Sequence, residues 1–206
     1  MKQWMIKSNR ADLSKIAARY KISEILAEVL VKRGLYDWEA MDAYLYPSMD
    51  KLHDVHAIYD LDHAVSIIRD KIENNQKIQV IGDYDVDGVM STSILVKGLR
   101  KLGAEVSWRV PHRERDGYGV RDYMAREAFE QDVDTIITCD NGISAVDAVA
   151  CAKELGMTVI VTDHHDVPLD NETGQELLPP ADAVVDLKRK DNMYPWRELC
   201  GGIPPD

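Results

Sequence analysis

Three short runs rich in Val, Ile and Thr each end at a cluster of acidic or histidine side chains. The runs are residues 77–81, 135–138 and 158–162, and their β-branched composition predicts strands. The clusters that follow them are Asp83, Asp85 and Asp87, then Asp140, then residues 163–165. In a parallel sheet, ligands bind outside the carboxyl ends of the strands. The pattern therefore predicts one site built from three strand ends.

Helical patterns separate these strands and define the fold class. Apolar residues recur at helical spacing in residues 89–102, 122–129 and 145–155, and further strand-like runs lie at 105–110 and 182–185. Strands that alternate with crossover helices predict an α/β fold with a mostly parallel, doubly wound sheet and right-handed connections. We expect this domain to cover residues 76–206. Residues 1–75 are expected to form a helical N-terminal segment, with amphipathic helices at 22–33, 37–45 and 61–72.

The first acidic cluster admits two other interpretations. Asp83, Asp85, Asp87 and Gly88 match the opening of an EF-hand calcium loop. That loop requires Glu at its twelfth position, which is Ile94 here, and it follows a helix rather than a strand. A solvated acidic turn would explain one such cluster, but it explains three clusters in register poorly.

The side chains that converge favour a divalent metal. Carboxylates and an imidazole suit Mn²⁺ or Mg²⁺, and the nitrogen ligand favours Mn²⁺. Zinc fits less well, because Cys139, Cys151 and Cys200 include no pair at ligand spacing. Taken alone, His164 and His165 would be more typical of a structural role. Their position after a strand end favours metal binding.

These motifs occur in the order found in a known family. The sequence resembles the DHH phosphoesterase superfamily and, within it, the RecJ single-strand-specific exonucleases. The motifs that carry the resemblance are GDYDVDG at 82–88, PHRERDGYG at 111–119, TCDNG at 138–142, TDHH at 162–165 and YPWRELCG at 194–201. The resemblance implies a 5′–3′ exonuclease on single-stranded DNA, in DNA repair or recombination, that releases 5′-mononucleotides by attack of a metal-bridging hydroxide. It also implies that the N-terminal segment packs on the sheet domain.

The resemblance also implies two metal ions, Mn²⁺ or Mg²⁺, and assigns ligands to them. Asp85 is expected to bind the first ion, Asp87 and His164 the second, and Asp140 both. Asp83 is expected either to complete the shell of the first ion or to accept a hydrogen bond from a ligand.

Two further groups of residues are expected to serve catalysis and substrate binding. Asp163 should orient His164 by accepting its other ring N–H, while His165 faces the scissile phosphate. The loop at residues 111–119 follows a strand end and should border the same site. Its substrate-binding candidates are His112, Arg113 and Arg115 for phosphate and Tyr118 for stacking on a base. The alternative is an ordinary charged loop.

The charge balance bears on how nucleic acid is held. With 36 acidic and 25 basic residues the net charge is −11, so a general basic face is absent. Two divalent ions would add about four positive charges at the site itself. We therefore expect affinity for single-stranded DNA in the complete enzyme to come partly from another domain, with a single-strand-binding protein or a helicase as further partners.

The end of the chain departs from the family pattern. A RecJ-like protein continues beyond residue 201 with a further metal-binding aspartate and a second domain that grips substrate. We expect this chain to be incomplete at its C-terminus and weakly active or inactive alone.

The N-terminus lacks a signal-peptide core, no apolar run approaches membrane-spanning length, and the odd set of cysteines suits a reducing compartment, so the expected location is cytoplasmic without membrane contact.

Two alternative functions stay open from the sequence. One is a DHH phosphodiesterase that acts on short oligonucleotides or cyclic dinucleotides, which would need a pocket rather than a channel. The other is a non-catalytic relative that uses the DHH fold for protein contacts, whose expected signature is loss of metal ligands.

Overall fold

The computed structural model describes residues 11–201, and the chain divides into two compact units. The first unit ends at Leu52 and the second begins at His53. Expectations about the N-terminal leader and about the last five residues lie outside the described residues.

The first unit is a cluster of short helices. They are α1 (Leu13–Tyr20), α2 (Glu24–Lys32) and α3 (Trp38–Leu45), followed by a 3-10 turn at Met49–Lys51. Each α-helix starts at a side chain that accepts a hydrogen bond from a first-turn N–H, namely Asp12, Ser23 and Asp37. Their apolar faces bury a common core. The predicted helices at 22–33 and 37–45 are present, whereas α1 was not expected.

The second unit contains a sheet of parallel strands with helices between them. The strands are β1 (Ile78–Ile81), β2 (Val106–Arg109), β3 (Thr135–Cys139), β4 (Thr158–Asp163) and β5 (Ala183–Asp186). The helices are α4 (Leu61–Glu73), α5 (Val86–Lys101), α6 (Asp122–Glu130) and α7 (Val146–Glu154), with a 3-10 turn at Val55–Ala57. In residues 11–201 we find no helix that is long and apolar enough to cross a lipid bilayer.

The strand order is β2-β1-β3-β4-β5, and every neighbouring pair is parallel. Helices α4 and α5 cover one face, over a core that includes Ile78, Val80 and Ile137. Helices α6 and α7 cover the other, over a core that includes Ile136 and Val161. Strands buried on both faces need continuous apolar runs, which is why the β-branched segments of the sequence identified them. The prediction of an α/β fold with a parallel, doubly wound sheet is confirmed.

The boundary between the units differs from the predicted one. Helix α4 lies before residue 75, but its Ala64 is 2% exposed and packs into the sheet core with Ile78 and Val80. The helix therefore belongs to the sheet unit, and the boundary lies near residue 52 rather than 75. An amphipathic pattern shows that a helix buries one face, but it does not show which neighbour covers that face.

The topology also fixes where a ligand can bind. From β1 the chain moves outward to β2, then returns to the other side of β1 to form β3, β4 and β5. The connections thus diverge between β1 and β3, which opens a crevice at the carboxyl ends of these two strands. The sequence places Asp83 directly after β1 and Asp140 directly after β3.

Candidate metal centre

The loop after β1 is shaped by two glycines. A Cβ on Gly82 would lie 1.8 Å from Thr92 Oγ1, and a Cβ on Gly88 would lie 2.5 Å from the carbonyl oxygen of Asp83. Only glycine allows the loop to pack this closely on the first turns of α5. Asp85 is the N-cap of α5, and its Oδ1 accepts a hydrogen bond from the Gly88 N–H at 3.0 Å. The loop thus follows strand β1 and precedes helix α5. An EF-hand loop follows a helix, so the EF-hand interpretation is excluded.

Asp83 is a buried carboxylate that lacks a complete set of partners. It is 2% exposed, and its Oδ1 has no hydrogen-bond partner among the described residues. Burial raises the pKa of Asp83, and the nearby Asp85 raises it further. One oxygen each from Asp83, Asp85 and Asp140 lies within 4.8 Å of the others. A buried, unpaired carboxylate beside two others is costly unless a cation balances it.

Asp140 enters the site from the end of β3 in a strained conformation. Its φ is 60°, in the left-handed region that few residues other than glycine adopt, and such outliers cluster at functional sites. Two residues later, Gly142 has φ 110°, and a Cβ there would lie 2.5 Å from Thr138 Oγ1. The Asp140 side chain is 2% exposed. Burial raises the pKa of Asp140 to about 6, and the neighbouring Asp87 contributes in the same direction.

His164 lies close to one aspartate from each of the other two motifs. Its Nε2 lies 2.8 Å from Asp140 Oδ1 and 3.4 Å from Asp87 Oδ2. The structure thus brings together Asp87 from the first motif, Asp140 from the second and His164 from the third. All five residues that the sequence singled out as metal ligands lie at this edge of the sheet. Their roles as ligands stay a prediction.

Asp163 holds a different histidine from the one expected. Its Oδ1 lies 2.7 Å from Nδ1 of His165, so the expected bond to the ring of His164 is wrong. The same carboxylate accepts the backbone N–H groups of His164 at 2.8 Å and Ile143 at 2.9 Å. Burial would raise the pKa of Asp163, but these hydrogen bonds outweigh it and leave the pKa below its usual value. The carboxylate in turn raises the pKa of His165.

Tyr118 completes a chain of polar contacts with these two residues. Its hydroxyl lies 3.1 Å from Nδ1 and 3.4 Å from Nε2 of His165, and the two rings meet edge to face at a centroid distance of 5.7 Å. Desolvation and the surrounding carboxylates, first Asp163 and then Asp83, raise the pKa of Tyr118. The phenol therefore stays protonated at neutral pH and is a hydrogen-bond donor at the rim of the site.

The other three substrate-binding candidates differ in how well they are placed to contact a substrate. The guanidinium of Arg113 lies over the ring of Tyr84, 5.5 Å from its centroid, next to the first acidic motif. The guanidinium of Arg115 is instead paired with Asp116, at 2.7 and 3.1 Å. The ring of His112 accepts the N–H of Arg115 at 3.4 Å. Arg113 is thus better placed than Arg115 or His112 to meet an anionic substrate.

Two residues at the site were given no role by the sequence analysis. Asp186 ends β5 in register with Asp163, is fully buried, and has one oxygen, Oδ2, without a hydrogen-bond partner in the described part of the chain. Burial raises the pKa of Asp186 to about 6. Gly201 donates its backbone N–H to Asp87 Oδ2 at 2.9 Å. The strand-end rule applied to residues 182–185 would have found Asp186. Gly201 ends the motif YPWRELCG at 194–201, but the motif does not indicate the contact of Gly201 with Asp87.

The donor set fits a divalent cation. Carboxylate oxygens and one imidazole nitrogen are the ligands that Mn²⁺ accepts. Two overlapping groups can each offer atoms within 4.8 Å of one another: Asp83 with Asp85 and Asp140, and Asp140 with His164 and His165. The unpaired oxygen of Asp83 and the raised pKa of Asp140 both show that negative charge at this edge is poorly balanced by the protein itself.

The sequence and fold are similar to those of known proteins. The model of the DHH family, N-terminal domain, matches residues 77–201. The single-stranded-DNA-specific exonuclease RecJ of Bacillus subtilis is 36% identical over 200 residues, which is 97% of this chain and 25% of that protein. An exonuclease RecJ solved with bound manganese is 35% identical with a TM-score of 0.57, over 66% of this chain and 33% of its own.

A second solved structure extends the similarity over the described fold. RecJ from Thermus thermophilus in complex with Mn²⁺ superposes with a TM-score of 0.66 at 27% identity, over 95% of this chain and 26% of its own. This chain spans about a quarter of the length of the curated relatives that it matches.

Proposed function

The chain belongs to the DHH family, and on that premise we propose that it is a divalent-metal-dependent phosphodiesterase that cleaves single-stranded DNA from the 5′ end and releases 5′-mononucleotides. One observation carries the chemistry. Asp87 from the first turn of α5, Asp140 from the end of β3 and His164 from the end of β4 come together at the carboxyl edge of the sheet, where Nε2 of His164 lies 3.4 Å from Asp87 and 2.8 Å from Asp140. The substrate is carried over from the RecJ relatives, which are single-stranded-DNA-specific exonucleases.

We propose two ion sites, which the distances between the side chains support. Asp83, Asp85 and Asp140 would hold one ion, and Asp87, Asp140 and His164 would hold a second, with Asp140 common to both. Bound divalent ions would lower the pKa of an attacking water and neutralise charge on the phosphate. Metal ligands that include both carboxylates and an imidazole favour Mn²⁺, and Mg²⁺ is the alternative.

The remaining residues of the site would bind and orient the phosphate. Asp163 holds Nδ1 of His165, which leaves Nε2 as the ring nitrogen that can donate to a phosphate oxygen. The hydroxyl of Tyr118 lies beside that ring and can donate to the same group. Arg113, next to the first acidic motif, would contact a neighbouring phosphate. The stacking of a base on Tyr118 stays a prediction.

A DHH phosphodiesterase for short oligonucleotides is the second candidate, and the charge distribution favours it. The chain carries a net charge of −11, and Arg115 in the substrate loop is neutralised by Asp116. Little basic surface is then left to hold a long strand. The non-catalytic alternative is weaker, since the acidic and histidine ligands of all three motifs are present.

A length series separates these functions. Single strands from dinucleotides to long oligomers, each with a 5′-phosphate, would be incubated with Mn²⁺ at low salt, with Asp140→Asn as the inactive control. An exonuclease produces 5′-mononucleotides from long strands, whereas the second candidate turns over only the shortest ones. Product that forms at the same rate in the Asp140→Asn control would contradict both, because both functions depend on the same metal centre.

The partners and the rate of this chain are part of the same proposal. Single-stranded DNA is the proposed substrate, and a single-strand-binding protein or a helicase would deliver it. Slow turnover of long strands by this chain, compared with a full-length RecJ, stays a prediction that the same series measures.

A further inference from the structure

The segment after β5 returns to the metal centre and contacts it through its backbone. The N–H of Gly201 donates a hydrogen bond to Oδ2 of Asp87 at 2.9 Å, across 114 residues of sequence. The same oxygen lies 3.4 Å from Nε2 of His164. A backbone donor on a carboxylate makes a strong, charge-assisted bond that fixes the rotation of the carboxylate plane. Gly201 therefore contributes to where Asp87 presents its oxygens.

The same residue also touches a second ligand, because it has no side chain. A Cβ on Gly201 would lie 3.0 Å from Cβ, 3.3 Å from Oδ1 and 3.4 Å from Cα of Asp140. These distances are tighter than normal carbon contacts, so one of the two residues would have to move by a few tenths of an ångström. Asp140 has little freedom to do so. Its N–H is bonded to the carbonyl oxygen of Thr162 at 3.1 Å, and its Oδ1 to His164.

We propose that Gly201 is a positioning residue of the metal centre, which holds Asp87 through its N–H and leaves the space that Asp140 needs. The inference rests on the proposed metal function of these two aspartates. Ligand atoms in a metal site must lie within about 0.2 Å of their preferred distances. Hydrogen bonds to ligands are typically worth about 10–100-fold in metal affinity. A displacement of a few tenths of an ångström at Asp140 is therefore enough to weaken binding.

Two variants separate the two contributions. Gly201→Ala keeps the N–H and adds the Cβ, whereas Gly201→Pro adds a Cβ and also removes the N–H donor, so the further loss in the Pro variant measures the contribution of the N–H. Gly98→Ala is the matched control, because a Cβ on Gly98 meets nothing within 4 Å and its position in α5 is exposed. Mn²⁺ affinity would be measured by electron paramagnetic resonance on the full chain. We expect a loss of about 10-fold for Gly201→Ala, a loss of about 10–100-fold for Gly201→Pro, and no change for the control.

A measurement without metal tests the contact directly. In the metal-free protein the amide resonance of Gly201 should move on Asp87→Asn and should not move on Asp132→Asn, whose side chain is exposed. An unmoved Gly201 amide, or unchanged Mn²⁺ affinity in both Gly201 variants, would overturn the inference. A wild-type chain that binds no Mn²⁺ would instead overturn the proposed metal centre. The two failures are therefore distinguishable.

Discussion

Replacement of Asp140 by Asn should stabilise the metal-free domain while it abolishes metal binding. Asp140 is 2% exposed, and burial together with Asp87 raises its pKa from 3.8 to about 6. The fold therefore holds the ionised carboxylate at a cost. Asn has the same shape, can accept the hydrogen bond from His164, and tolerates the left-handed backbone at φ 60°.

The magnitude follows from the two pKa values. One pKa unit corresponds to about 1.4 kcal/mol, so the difference between 3.8 and about 6 is worth roughly 3 kcal/mol where both states are ionised. Because the pKa is raised in the folded state, the associated stability is present below pH 3.8 and is lost as the pH rises through about 6. We expect the Asn variant to gain about 2–3 kcal/mol at pH 7 and about half of that at pH 5.

The assay is urea unfolding with a chelator present, at pH 5 and at pH 7. Asp132→Asn is the matched control, since Asp132 has the same left-handed backbone at φ 57° but a side chain that is 92% exposed. Its weak ion pair with Lys77, at 4.0 Å, should contribute little. A gain at Asp140 that is equal at the two pH values, or no larger than the gain at Asp132, would refute the electrostatic reasoning.

Three further predictions concern neighbouring residues. His164→Ala should weaken Mn²⁺ binding, whereas His165→Ala should leave Mn²⁺ binding intact and lower phosphate affinity or turnover. Equal loss of Mn²⁺ binding in both variants would show that the roles of the two histidines are misassigned. Tyr118→Phe removes the hydroxyl beside His165, so turnover of a phosphodiester should fall at unchanged Mn²⁺ affinity, and unchanged turnover would exclude a role for the hydroxyl. Gly82→Ala should cost about 1–3 kcal/mol in the free energy of unfolding, because the new Cβ overlaps Thr92 Oγ1, and an effect below about 0.5 kcal/mol would contradict this close packing.

Much of the sheet and of the acidic cluster could be predicted from local sequence. Strands such as β3 and β4 are buried on both faces, so they read as short β-branched runs, and the polar clusters after them mark the carboxyl ends. The family motifs assigned Asp140 and His164 to the same metal centre. In the structure, Nε2 of His164 lies 2.8 Å from Oδ1 of Asp140. Strand ends are predictable because both their composition and their position in a parallel sheet are constrained.

The features that were missed depend on contacts between distant parts of the chain. The placement of α4 in the sheet unit is set by which surface covers its apolar face, and Gly201 reaches Asp87 across 114 residues. The choice of His165 over His164 as the partner of Asp163 depends on side-chain rotation, which adjacent residues in a sequence do not reveal. The spacing of the motifs along the sequence therefore located the site but did not predict the hydrogen bonds within it.

The central claim is that Asp140 and His164 are essential ligands of a divalent-metal site. The most direct test is a Mn²⁺ titration of the full chain, by calorimetry or electron paramagnetic resonance, beside the double variant Asp140→Ala/His164→Ala. The control is His56→Ala/Asp62→Ala, which removes an exposed histidine–carboxylate pair at the same 2.7–2.8 Å spacing. If that claim holds, Mn²⁺ binds to the wild type and to the control and does not bind to the folded double variant. Mn²⁺ binding of unchanged affinity in that double variant would contradict it.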